Sequence, residues 1–369
     1  MSITSPAPRD EWRRLLAADP QAVATQTPEW LDCLCARTGR ETKRSGARPW
    51  KTVDASRLYD LPGGRRGVLP LVARTVAGVP VAEESFPYGW GYGGLVAEGG
   101  VTADDCRVVL ADLARRPVVR TGVVPTSLAG AAWADAAPER AIRVPYTAQV
   151  VDLSPGYDHL WEKVFKRQVR NSVRKAERFS LDVRRERGDD PDGVGVRAFA
   201  ELYGQQVDRW AAQRGQPLWL AHRVAAAQDR PGQVAAVAAA MGERCVVWSA
   251  FHEGRPVAVN VVLQHGRHAL GWLSAMDDAL SRETLATYVL HTRSFADAAA
   301  EGVHWFHMGE SDPGSAPERY KAYFGAASIS YEALRFERLP LTRADKGLRH
   351  VVAKASEIHA RRREAARDR

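Results

Sequence analysis

The chain has few cysteines, no long apolar run and no clustered metal ligands. Its four cysteines, Cys33, Cys35, Cys106 and Cys245, are scattered through 369 residues. Only Cys33 and Cys35 are close, and no second pair or histidine cluster completes a zinc site, so the four read as buried reduced thiols. His304 and His307 lack metal-ligand spacing and read as structural. The first twenty residues hold no apolar stretch of signal-peptide length. No window approaches the roughly 18–20 apolar residues of a membrane span. A cytoplasmic protein with no membrane span, no metal and no bound cofactor is the expectation. Sustained heptads are also missing between Gly215 and Cys245, which excludes a long coiled-coil arm there.

What is present is enough apolar residue, 45%, for a packed core, in a chain long enough for two domains. The net charge of +8 is regional. Residues 163–187 hold ten Lys/Arg against three Asp/Glu, and residues 341–369 hold nine against four. The rest of the chain is slightly acidic. A local basic surface points to a polyanionic partner, and the second cluster reads as a basic C-terminal helix or tail.

The pattern along the chain divides into two mixed α/β halves, at 1–147 and 148–340, followed by the tail at 341–369. In the first half, Thr27 and Pro28 open a helix. A strand is expected at Gly67–Ala73, a helix at Ala103–Arg116 and a strand at Val123–Pro125. The stretch Ser85–Leu95 is rich in glycine and aromatics, and Tyr88, Trp90 and Tyr92 suit a cleft wall as well as a packed turn. The second half opens with a strand at Ala148–Leu153 and a helix over Tyr157–Phe179. That helix has an apolar face (Trp161, Phe165, Val169, Val173, Ala176) and an opposite basic stripe (Lys163, Arg167, Arg170, Arg174, Arg178), with Lys166 as a further candidate for the same polyanionic partner. Another helix covers Val196–Arg214. Three strands from Cys245, joined by short Gly-containing turns, form an antiparallel meander. A helix over Glu283–Ala300, a strand at Val303–Met308, a polar loop, a helix at Pro317–Phe324 and a strand at Ile329–Phe336 complete the order.

The segment Trp305–Ala326, WFHMGESDPGSAPERYKAYFGA, carries the candidate chemistry. A strand runs into a polar loop and then a short helix, which sets Lys321 beside a loop able to hold a ligand. Glu310 and Asp312 in that loop are candidate acceptors of a proton, or of an ammonium group. Ser311 and Tyr320 flank them, and Trp272 on the third meander strand faces either the cleft or the core.

Several pieces resemble the Fem-like aminoacyltransferases, a branch of the GNAT superfamily with two tandem GNAT-like domains. They are Pro28-Glu29-Trp30-Leu31, Tyr92-Gly93-Gly94, the run VDLSPGYDHLWEKVFKRQVRNSVRKAER, Gly309-Glu310-Ser311 and Tyr320-Lys321-Ala322-Tyr323-Phe324-Gly325, in this order over residues 26–337. The resemblance implies two α/β domains with mostly antiparallel sheets flanked by helices. It implies aminoacyl-tRNA as co-substrate, with the aminoacyl group passed to a cell-wall precursor or a small metabolite. It also implies that Lys321 contacts the reacting end and stabilises negative charge, that Tyr320 holds its stem, that the basic stripe tracks tRNA phosphates, and that an arginine such as Arg209 holds an acceptor pyrophosphate. Two rivals stand beside it. An acyl-CoA-dependent N-acyltransferase would need a glycine-containing pyrophosphate turn, whereas Ala275–Glu283 reads AMDDALSRE. A non-catalytic RNA- or ligand-binding protein would not need Lys321 or the polar loop.

Overall fold

The computed structural model describes residues 2–44, 50–86, 89–190, 193–213, 215–340 and 342. Tyr88, and the tail in which a basic C-terminal helix is expected, lie outside the described residues. Helix α1 (Pro28–Arg44) begins where Thr27 Oγ1 accepts the Trp30 N–H at 3.3 Å. Strands β1 (Trp50–Asp54), β2 (Val72–Val76) and β3 (Val79–Glu84) form a meander. Helix α2 (Ala103–Leu113), opened by a Thr102 capping box, leads to β4 (Arg120–Val123), which lies parallel to β3. Strand β5 (Ile142–Asp152) enters the second half, followed by α3 (Arg167–Ala176), β6 (Asp182–Arg187) and α4 (Val194–Gln213). The expected meander is present as β7 (Cys245–His252), β8 (Arg255–His265) and β9 (His268–Met276). Its first link is a two-residue turn in which Glu253 and Gly254 both take positive φ. Helices α5 (Asp278–Thr284) and α6 (Ala286–Ala300), strand β10 (Trp305–Glu310), helix α7 (Ala316–Ala322) and strand β11 (Ala327–Glu337) complete the described chain.

Among the described residues eleven strands form one sheet in the order β6-β7-β8-β9-β10-β5-β11-β4-β3-β2-β1. The two halves share this sheet because β11 pairs with β5 over Ala327–Arg335 and with β4 over Leu334–Glu337. The 147/148 boundary therefore falls inside the unbroken strand β5. A separate four-stranded sheet joins Ile3–Thr4, Arg57–Asp60, Arg66–Leu69 and Val96–Ala97. Strands β7 and β8 are apolar on both faces because helices cover both. Val259 and Val261 share a core with Phe199 and Leu202 of α4, and Ala258 and Val262 share another with Ala286 and Leu290 of α6.

Three expected elements are interrupted. The strand Gly67–Ala73 splits at Pro70, which has no N–H for a ladder, and its two parts join different sheets. The helix Tyr157–Phe179 breaks at Phe165, whose ψ of 132° is extended. Phe165 is buried among Tyr157, Trp161, Phe295 and Phe324, and the break lets its ring reach all four. The helix expected from Glu283 to Ala300 breaks at Leu285, which has φ +60°. Between Gly215 and Cys245 stand two short helices, Leu218–Gln228 and Arg230–Met241. Among the described residues no helix is long and apolar enough to cross a membrane.

Candidate active site

Strands β9 and β10 run parallel and pair only over His268–Leu270 with Trp305–His307. Beyond that point β9 follows β8 and β10 follows β5, so the two diverge. A cavity of about 870 Å³ fills the divergence, walled by β9, the end of β10, and helices α5, α6 and α7.

A β-bulge shapes the β10 wall. His307 pairs with Val150 and Glu310 with Ala148, so Met308 and Gly309 together oppose Gln149. Gly309 has φ +77°, which a glycine adopts without steric cost. The Lys321 ammonium donates to the carbonyls of Gly309 and Glu310 at 3.0 and 3.1 Å, and to Gln149 Oε1 at 3.2 Å. Three donors thus meet three acceptors across three separate segments.

Helix α7 delivers Lys321 to this point. Its start is capped by Ser315 Oγ, which accepts the Glu318 N–H, and Pro317 stands in its first turn. Its other face carries Tyr320, packed against Tyr288, His291 and Phe324. Just beyond the helix Gly325 has φ +78°, and a Cβ there would lie 2.1 Å from Val164, so the return to β11 needs glycine. Burial of the Lys321 ammonium lowers its pKa to about 8, with Glu310 acting in the opposite direction. The group is still mostly charged at neutral pH.

The other expected site residues divide by position. Glu310 lines the cavity, and its carboxylate accepts the Tyr331 hydroxyl at 2.8 Å. Trp272 also lines it, edge-on to Trp30, so it serves core and cleft together. Tyr320 lines it through its ring; its hydroxyl lies 3.3 Å from His291 Nδ1, and burial raises its pKa. The cavity wall does not include Asp312, Ser311, Arg209, Trp90 or Tyr92. Asp312 is exposed. Ser311 donates its N–H to Thr147. Arg209 forms an ion pair at 3.7 Å with Asp278, which does line the cavity. Trp90 packs on Trp30, and Tyr92 is buried between Tyr331 and His307.

Sequence reading missed Gln149, His291 and Asn260. Gln149 sits on the strand predicted at Ala148–Leu153, and only the bulge opposite it brings its amide to Lys321. His291 lines the cavity as a neutral ring, since burial lowers its pKa to about 4, and it donates Nδ1–H to the Thr287 carbonyl. Neither position carries a local sequence signal.

Beside the cavity lies the basic stripe. Lys163, Lys166, Arg167 and Arg174 are exposed, and none of them forms an ion pair among the described residues. Arg170 differs: its guanidinium is half-buried and donates to the carbonyls of Trp161 and Phe165, which the helix break leaves open. Gln168 on α3 donates to the Tyr288 hydroxyl at 3.2 Å, and Tyr288 lines the cavity, so the stripe begins at the cavity's wall.

Residues 163–322 match the model of the acetyltransferase (GNAT) domain. The crystal structure of FemX is similar over 91% of this chain and 97% of that one, at 11% identity and a TM-score of 0.51. The two share a fold. A conserved protein of unknown function from Bacteroides thetaiotaomicron VPI-5482 shares it, at 12% identity and a TM-score of 0.53, over 89% of this chain and 97% of that one. No curated protein matches the chain by sequence. The matched segment includes Lys321 and the whole of the cavity wall.

Proposed function

We propose that this Fem-like protein transfers an aminoacyl group from aminoacyl-tRNA to an amine or hydroxyl of a small-molecule or cell-wall-precursor acceptor. The observation that carries the reading is Lys321, an ammonium fixed on the wall of a cavity open at a strand divergence. In the reaction, the acceptor nitrogen or oxygen attacks the ester carbonyl and a C–N or C–O bond forms. The carbonyl oxygen becomes an oxyanion. The ester C–O bond to the ribose then breaks, and the ribose hydroxyl leaves with the proton that the acceptor gives up. A preorganised cation at the oxyanion contributes roughly 3–4 kcal/mol. All three Lys321 donors already have acceptors, so the oxyanion gains its contact by displacing one, and the 3.2 Å bond to Gln149 is the longest. Glu310, held by Tyr331, lies on the same wall as a group for the acceptor's ammonium form or its proton.

Two observations favour aminoacyl-tRNA over acyl-CoA as donor. The backbone N–H groups of Ala279 and Leu280, after β9, both donate to the Asp277 carboxylate at 3.0 Å. Amides that would hold a pyrophosphate there are occupied by a fixed negative charge. The unpaired basic stripe, in turn, begins at the cavity and suits an RNA backbone. Incubating the protein with charged tRNA and separately with acetyl-CoA, each with trial amines, tests the choice. Acyl transfer from charged tRNA alone is expected. Transfer from acetyl-CoA alone would replace the donor, and transfer from neither would favour a binding protein.

A further inference from the structure

One wall of the cavity is more polar than its packing requires. Asn260 stands in the middle of β8, between Ala258 and Val262 of the apolar core, and is only 7% exposed. Ser281 of α5 is 5% exposed. Both line the cavity, as does Gln206 of α4, whose Oε1 is buried without a hydrogen-bond partner. Among the described residues neither the Asn260 carboxamide nor the Ser281 hydroxyl has a side-chain hydrogen bond. The polar atoms of Asn260 and Ser281 open onto the cavity, whereas Gln206 Oε1 is buried; a buried polar atom without a partner costs about 1–3 kcal/mol, and a group bound in the cavity can supply one.

All three side chains are uncharged, and each offers both a donor and an acceptor. They suit a hydroxyl or a carboxamide, and they give an ionised group no counter-charge. Strand β8 is two strands from β10, the strand that anchors Lys321. Asn260 pairs with Ser274, past Leu270 where β9 and β10 have separated, so it faces the same cavity whose opposite wall carries Glu310 and Lys321.

We propose that Asn260, Ser281 and Gln206 form a subsite for an uncharged, hydrogen-bonding substituent, hydroxyl or carboxamide, on the transferred acyl group. This rests on the aminoacyl-transfer reading and names the class of aminoacyl group that reading leaves open. The substitution Asn260→Leu separates a recognition role from a structural one. Removing an unpartnered carboxamide from an apolar face leaves the melting temperature unchanged or raises it, while a structural carboxamide would lower it.

The binding test uses stable 3′-aminoacylamino-adenosines carrying seryl, threonyl, asparaginyl or glutaminyl groups, compared with alanyl, valyl and leucyl, titrated calorimetrically against wild type and Asn260→Leu. The expected result is about tenfold or more tighter binding of the polar set by wild type, with the preference lost in Asn260→Leu. Equal binding of both sets by wild type would overturn the subsite and leave the donor reading standing. If no adenosine probe binds, the donor reading fails. The subsite assignment then falls with it, and a lowered melting temperature in Asn260→Leu overturns the subsite whichever probe binds.

Discussion

Among the described residues each half contains one pair of parallel neighbours, with one helix between them in the first half and two in the second, and the two pairs end differently. In the first half β3 and β4 pair over Ala82–Glu84 with Arg120–Gly122. Their far end is then bridged. The Ser85 N–H donates to the Gly122 carbonyl at 2.9 Å, the Val124 N–H donates to Ser85 Oγ at 2.8 Å, and the Gly93 N–H donates to the Val124 carbonyl at 2.8 Å. In the second half β9 and β10 separate after three residue pairs, and the bulge at Met308–Gly309 turns backbone carbonyls toward Lys321. One strand plan thus gives a bridged junction where a serine and glycines supply the hydrogen bonds, and a cavity where a bulge and a lysine turn the backbone aside.

The contrast predicts effects on activity in the second half and on stability in the first. Lys321→Ala is expected to lower turnover by about ten- to a thousandfold while circular dichroism stays native, since it removes the cation at the oxyanion. Unchanged turnover would reduce Lys321 to a clip on the bulge. Gln149→Leu removes the acceptor that the oxyanion displaces and leaves the two carbonyls in place, so kcat is expected to hold or to rise by up to about tenfold; a fall would mean that Gln149 positions the lysine. Charge reversal of Lys166, Arg167 and Arg174 together is expected to weaken tRNA retention on filters and to flatten its salt dependence by roughly two to three in log–log slope. An unchanged slope would assign the stripe to solvent. Arg170 is left out because its role with the Trp161 and Phe165 carbonyls is structural. The smallest effect belongs to the first half: Ser85→Ala is expected to lower stability by about 1 kcal/mol in denaturant melts, with kcat unchanged. A loss of activity there would mean that the bridged junction also takes part in the chemistry.

The parts of the fold set by local patterns were legible in sequence. The Glu253-Gly254 turn and its apolar flanks identified the meander, Thr27 and Pro28 placed the start of α1, and the polar loop beside Tyr320 and Lys321 located the cavity. What escaped reading depends on contacts between distant segments. The bulge exists only because β10 and β5 differ by one residue in register, and that alone brings Gln149 to Lys321. Phe165 ends its helix because four aromatic rings from other segments surround it, although its own period is helical. The joining of both halves into one sheet depends on β11 pairing on both edges. Asn260 is one polar residue in an otherwise apolar stretch of its strand, and only the departure of β10 gives it a cavity to face.

The central claim, that a charged Lys321 serves the transfer step, is tested most directly by the pH dependence of single-turnover transfer from bound charged tRNA. Burial places the Lys321 pKa near 8, so the rate should hold steady up to about that pH and then fall as the ammonium loses its proton. The fall should be absent from the residual rate of Lys321→Ala. A rate that rises through pH 8, or one that stays level in both proteins, would contradict it.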